Sequence, residues 1–170
     1  MALGNFNDSS EKKIESEKTE RNQEKSEVKS YIDERKQDLN PKYQGGSYKD
    51  MRNNVERYEL KGKEVHHMPA DSVSKLERSE GPAIIMDKED HRLTASYGNS
   101  REAQEYRAAQ KELIDKGDFK SAYQMDVDDL HSKFGDKYDA QIEANSKYVD
   151  ELEKEGKTKY VDEPEKEGKI

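Results

Sequence analysis

Glu64-Val65-His66-His67-Met68-Pro69-Ala70, answered downstream by Ala83-Ile84-Ile85-Met86-Asp87-Lys88-Glu89-Asp90-His91-Arg92, is the pair of stretches whose reading decides the fold. Lys63 to Met68 reads as a strand, closed by Pro69, which cannot donate to a ladder. Asp71 to Glu80 is polar and serine-rich, a loop with one helical turn anchored by Val73 and Leu76, and Gly81-Pro82 ends it. Ala83-Ile84-Ile85-Met86 has the length and composition of a buried strand. Asp87 then stands as an N-cap for a helix beginning at Lys88, with Asp90 at N3, which places His91 in the first turns of that helix. Side chains alternate along a strand, so His66 and His67 are expected to point to opposite faces. Three of the chain's four histidines fall in this window. A metal-assisted hydrolase needs one imidazole to hold a cation, another to activate water, and a carboxylate nearby.

Helical spacing continues C-terminal to this window. Ser100 caps a segment carrying Ala103, Tyr106, Ala109, Gln110, Leu113 and Ile114 on helical spacing, and Gly117 stops it. Asp118 opens a second helix with Phe119, Ala122, Tyr123, Val127, Leu130 and Phe134, ended by Gly135. Tyr138, Ile142, Asn145, Tyr148 and Leu152 mark a third. The aromatic spacing is that of a core, and His131 is expected on an exposed helix face. On the N-terminal side, Val55 to Leu60 fits either a helix or a strand. Gly45-Gly46-Ser47 reads as a flexible joint. Residues 1 to 50 form a charged leader, disordered or singly helical, because Ile14 and Val28 are the only apolar side chains between Glu11 and Ser30. Lys147-Tyr148-Val149-Asp150-Glu151 and its sequel return as Lys159-Tyr160-Val161-Asp162-Glu163, with Leu152 replaced by Pro164 in the second copy. The proline breaks the helix, and 151–170 is expected to be a loose polar tail.

Of 170 residues, 29% are hydrophobic and 41% charged, too few apolar groups to offset ordering entropy along the whole length. The absence of cysteine excludes disulfides and thiolate zinc sites. A formal net charge of −8 argues against a broad basic face gripping nucleic acid, while leaving room for a local basic strip or a divalent cation. No apolar run approaches the ~20 residues of a membrane span, and no secretory signal is readable.

The order strand with His-His, loop, strand, helix with His resembles the ββα-metal motif of the HNH/endonuclease VII-like, or His-Me finger, nucleases. The resemblance is greatest to the toxin modules at the C-terminal ends of bacterial polymorphic and contact-dependent toxins, and it covers about Tyr58 to Tyr97. It implies an α+β fold: a small ββα-metal finger, built of a two-stranded hairpin plus helix within 51–150, followed by a helical subdomain. It also implies roles for particular residues. His66 would bind a divalent ion (Mg, Mn or Zn), His67 would be the general base, and His91 would be a second ligand. Asp87 or Asp90 would complete the shell, and Arg92 would stabilise charge on the scissile phosphate. Two features depart from the pattern: Ala95 stands where some members carry a second helix histidine, and the loop between the strands has no asparagine.

The expected function is therefore metal-dependent endonucleolytic hydrolysis of DNA or RNA by a bacterial toxin effector. The resemblance further implies a cognate immunity protein, and a location in the bacterial cytoplasm or delivery without a readable signal. The competing reading is a non-catalytic acidic helical interaction module, supported by the net charge.

Overall fold

Glu17 and Arg21 lie one helical turn apart, as do Glu15 and Lys18, the spacings that stabilise a solvated helix. The computed structural model, which describes residues 7–37 and 39–159, accordingly has a 31-residue helix α1 over Asn7–Gln37. Every residue from 10 to 29 is exposed, with Ile14 and Val28 each at 53%, so this stretch has no buried face. The chain divides into two units, Met1–Asp38 and Leu39–Ile170, and α1 belongs to the first.

The second unit is α+β. Its strands β1 (Gly45–Ser47), β2 (Lys63–His67) and β3 (Pro82–Asp87) form an antiparallel sheet in the order β1-β3-β2. The helices α2 (Tyr48–Arg57), α3 (Lys88–His91), α4 (Arg101–Asp115), α5 (Phe119–Phe134) and α6 (Asp139–Lys154) surround it. Short 3-10 turns at Pro41–Tyr43, Asp71–Val73 and Arg78–Glu80 fill the connections.

Register explains the layering. Val65 pairs with Ile85 and His67 with Ala83, so these four side chains share one face of the sheet. Ala83 and Ile85 join Leu39, Met51 and Leu60, with Tyr48, Val55 and Val65 packed alongside, and α2 covers this side. The other face carries Glu64 opposite Met86 and His66 opposite Ile84. There Ile84, Met86 and Met68 pack against Ile114 of α4, Phe119, Val127 and Leu130 of α5, and Ile142 and Val149 of α6. Ser100 caps α4 by accepting from the Ala103 N–H, and Asp118 caps α5 by accepting from the Ser121 N–H.

Several expectations are corrected here. Gly45-Gly46-Ser47 is an edge strand, not a joint, and the hairpin is therefore part of a three-stranded sheet. The folded unit starts at Leu39, ahead of the expected boundary at 51. A Cβ on Gly45 would collide with the backbone of Gln141 and Asn145, so glycine is what lets β1 lie directly on α6. Val55 to Leu60 resolves as the end of a helix and a turn, since α2 runs to Arg57. Leu152 and Thr158 are buried at 2% each, so 151–159 is anchored by these two side chains and is not a loose tail, while most of its other residues are exposed. The second repeat copy from Tyr160 onward, including Pro164, lies outside the described residues. Asp87 occupies the N-cap position of α3, yet its side chain makes no capping bond. Among the described residues no helix is long and apolar enough to cross a membrane.

Candidate functional site

Glu64 and His66 sit two residues apart on β2 and therefore share a face; α3 follows β3 directly and carries His91 to that face. The His91 Nδ1–H donates to Glu64 Oε2 at 2.7 Å. A carboxylate only accepts, so this bond fixes the proton on Nδ1 and, in the neutral ring, leaves the lone pair on Nε2. The His66 ring meets His91 edge-on, with centroids 5.0 Å apart and planes at 62°. The Tyr97 ring also meets His91 edge-on, with centroids 5.1 Å apart. Thr94 Oγ1 donates to the His91 carbonyl at 2.8 Å and holds the turn after α3.

His66 is 4% exposed and its ring has no hydrogen-bond partner among the described residues. Burial, reinforced by the neighbouring His91 and His67, pushes its pKa down to about 3. It is thus a neutral imidazole with an unused nitrogen donor.

His67 faces the opposite way, as strand alternation requires. Its ring stacks on Tyr48 of α2 with centroids 4.1 Å apart and planes at 14°. Its Nε2–H donates to the Arg78 carbonyl at 3.0 Å, which leaves Nδ1 with the lone pair. Burial lowers its pKa, against the raising effects of the Arg78 carbonyl and Asp71, and the ring stays a neutral base. Gly81 makes this seat: a Cβ there would run into His67 Cδ2 and Nε2.

No protein-family model, curated protein or solved structure matches this chain.

The expected carboxylate ligands are engaged elsewhere. Asp87 bonds Lys63 Nζ at 2.6 Å and Lys137 Nζ at 2.8 Å, and these two lysines, Lys137 foremost, hold its carboxyl below the ordinary range. Asp90 accepts from Tyr138 Oη at 2.5 Å and Lys137 Nζ at 2.6 Å. This Lys–Tyr knot pins α3 to the start of α6. Arg92 is exposed beside His91, and its guanidinium has no partner among the described residues. His131 is exposed, as expected, and pairs with Asp139 at 2.8 Å.

The described residues hold no group of three or more His, Asp or Glu side chains poised around one ion. What they do offer is two nitrogen donors, His66 and His91, the second oriented by Glu64. Imidazole nitrogens suit a borderline divalent cation, and a cation held here would need further ligands from outside these two rings, since Asp87 and Asp90 are bonded to Lys63, Lys137 and Tyr138. Three contributors escaped sequence reading: Glu64, Tyr48 and Gly81. Only Glu64 carried a usable signal, its i, i+2 spacing to His66 on a strand.

Proposed function

We propose that this protein is a metal-dependent phosphodiesterase of the nuclease type, with β2, β3 and α3 serving as its ββα finger. The observation that carries the reading is the meeting of His66 and His91 on one side of β2, with Glu64 holding His91. His66 and His91 would hold a divalent cation, which would supply charge neutralisation at the scissile phosphate. His67 is the general base. Its Nε2 is spent on the Arg78 carbonyl, so Nδ1 takes the proton as water attacks phosphorus. The His66 and His67 rings flank β2, a strand bonded to a neighbour along one edge only, so ligand and base lie on either side of one strand end. The exposed Arg92 guanidinium meets the charge that accumulates on the phosphate oxygens. The toxin-effector reading, with an immunity protein as partner, rests on the resemblance of the doublet and the finger order.

His67→Ala is expected to lower cleavage about 10²–10⁴-fold, the span of general-base contributions, while divalent binding measured by calorimetry stays intact. His91→Ala loses both. DNA, RNA and a small phosphoester are offered side by side with Mg²⁺, Mn²⁺ and Zn²⁺. Equal turnover by wild type and His67→Ala eliminates the base assignment. Absence of any divalent site sensitive to His66 or His91 returns the chain to the acidic interaction module.

A further inference from the structure

A cleft of about 360 Å³ is walled by Tyr48, Lys49, Arg52 and Asn53 of α2 and by Glu77 and Arg78, where the chain enters the 3-10 turn preceding β3. Tyr48 is the shared wall: His67 stacks on its ring, and the Arg78 guanidinium lies 5.3 Å from the same ring centroid. In a chain of 39 acidic and 31 basic residues, this concavity has three cations against one carboxylate. Lys49 has no carboxylate partner among the described residues. Arg52 reaches Glu56 at 3.5 Å across an exposed turn; Arg78, its side chain 68% exposed, reaches Asp71 at 3.5 Å and donates to Tyr48 Oη at 3.4 Å, a long contact. Such exposed pairs are worth little and exchange readily for a better anion.

We infer that the Lys49–Arg52–Arg78 cleft is a phosphate subsite that holds the backbone of a nucleic acid strand one or more nucleotides from the bond cleaved beside His67. The placement rests on the proposed nuclease reading; the anion binding does not. Guanidinium and ammonium groups suit phosphate oxygens. Asn53 adds an amide to the wall. The site also offers an acidic protein a local point of attraction for a polyanion.

The test uses the full chain in a chelator, so that no cleavage occurs, and a fluorescein-labelled single strand of about twelve nucleotides, within the usual single-strand site sizes. Anisotropy is followed across a salt series for wild type, for Lys49→Gln/Arg52→Gln, and for Lys111→Gln/Lys116→Gln on α4 as a charge-matched control. All four positions are exposed, so the substitutions spare the core. The expected result is binding at least about tenfold weaker for the cleft variant alone, with a salt slope smaller by about 1 to 2. Unchanged binding, an equal loss in the control, no measurable wild-type binding, or equally strong competition by polyglutamate would each overturn the subsite. The two readings fail separately. Loss of binding in the cleft variant from a protein that cleaves nothing leaves the subsite standing without the nuclease. Cleavage by a protein whose cleft variant binds normally leaves the nuclease without the subsite.

Discussion

Glu64 shows how much of a site depends on a residue that does no chemistry itself. Its carboxylate fixes the tautomer and the angle of His91, and in the proposed site it would be the outer partner that orients a metal-binding imidazole. Glu64→Gln keeps the side-chain shape and removes the charge. It is expected to weaken divalent affinity about 10–100-fold, read by calorimetry, with unfolding unaltered; wild-type affinity would strip Glu64 of this role. Its proximity to His66 was legible from strand alternation, but its bond to His91 was not, because that depends on the β2–β3 register and the turn into α3. The partner of His67 was less legible still. A backbone carbonyl at Arg78 has no side-chain signature, and the seat at Gly81 is the absence of a side chain. Asp87 and Asp90 misled for the opposite reason: carboxylates beside a histidine resemble ligands, and nothing local reveals that Lys63, Lys137 and Tyr138 will claim them.

At the scale of elements, the segments with strong periodicity and caps were readable. The strands at 63–67 and 82–87, and the three helices opened near Ser100, Asp118 and Tyr138, follow from local pattern. β1 does not. Three small residues with no apolar side chain carry no strand signal, and their pairing to Pro82, Ala83 and Ile84 is purely a tertiary matter. The start of α2 had a usable sign in Ser47, whose hydroxyl accepts from the Asp50 N–H, but the preceding glycines masked it. Because β1 rests on the α6 backbone, Gly45→Ala must push the strand off the helix. A cost of about 1–3 kcal/mol is expected, the range for overpacking a tight contact, seen as a lower urea midpoint. Gly62→Ala, where a Cβ has open space but φ is +69°, controls for backbone strain alone. A midpoint for Gly45→Ala no lower than that control would show that β1 yields without loss.

At the scale of the whole molecule, the fold keeps from water one carboxylate among the described residues, that of Asp126. Asp126 is 1% exposed in α5, where its Oδ1 accepts from Tyr106 Oη at 2.9 Å and its Oδ2 from Gln110 Nε2 at 2.8 Å. Gln110 also donates to the Ala122 carbonyl and accepts from the Ala70 N–H, so the network ties α4 and α5 to the segment that follows the histidine doublet. Burial raises the Asp126 pKa from 3.8 to about 7; Asp129 adds to the rise, and the two donors oppose it. Between those values the folded protein keeps a proton that the unfolded chain has released. The contribution of Asp126 to stability is therefore full below about pH 4 and is lost as pH climbs toward 7. Asp126→Asn cannot ionise and escapes that loss. The gap in unfolding free energy between variant and wild type is expected to move in the variant's favour by about 2–3 kcal/mol from pH 5 to pH 8, measured by urea titration at each pH. Other groups titrate equally in both proteins, so they cancel in the difference. A gap that stays constant over this range would mean that Asp126 is already ionised in the fold, its charge carried by Tyr106 and Gln110.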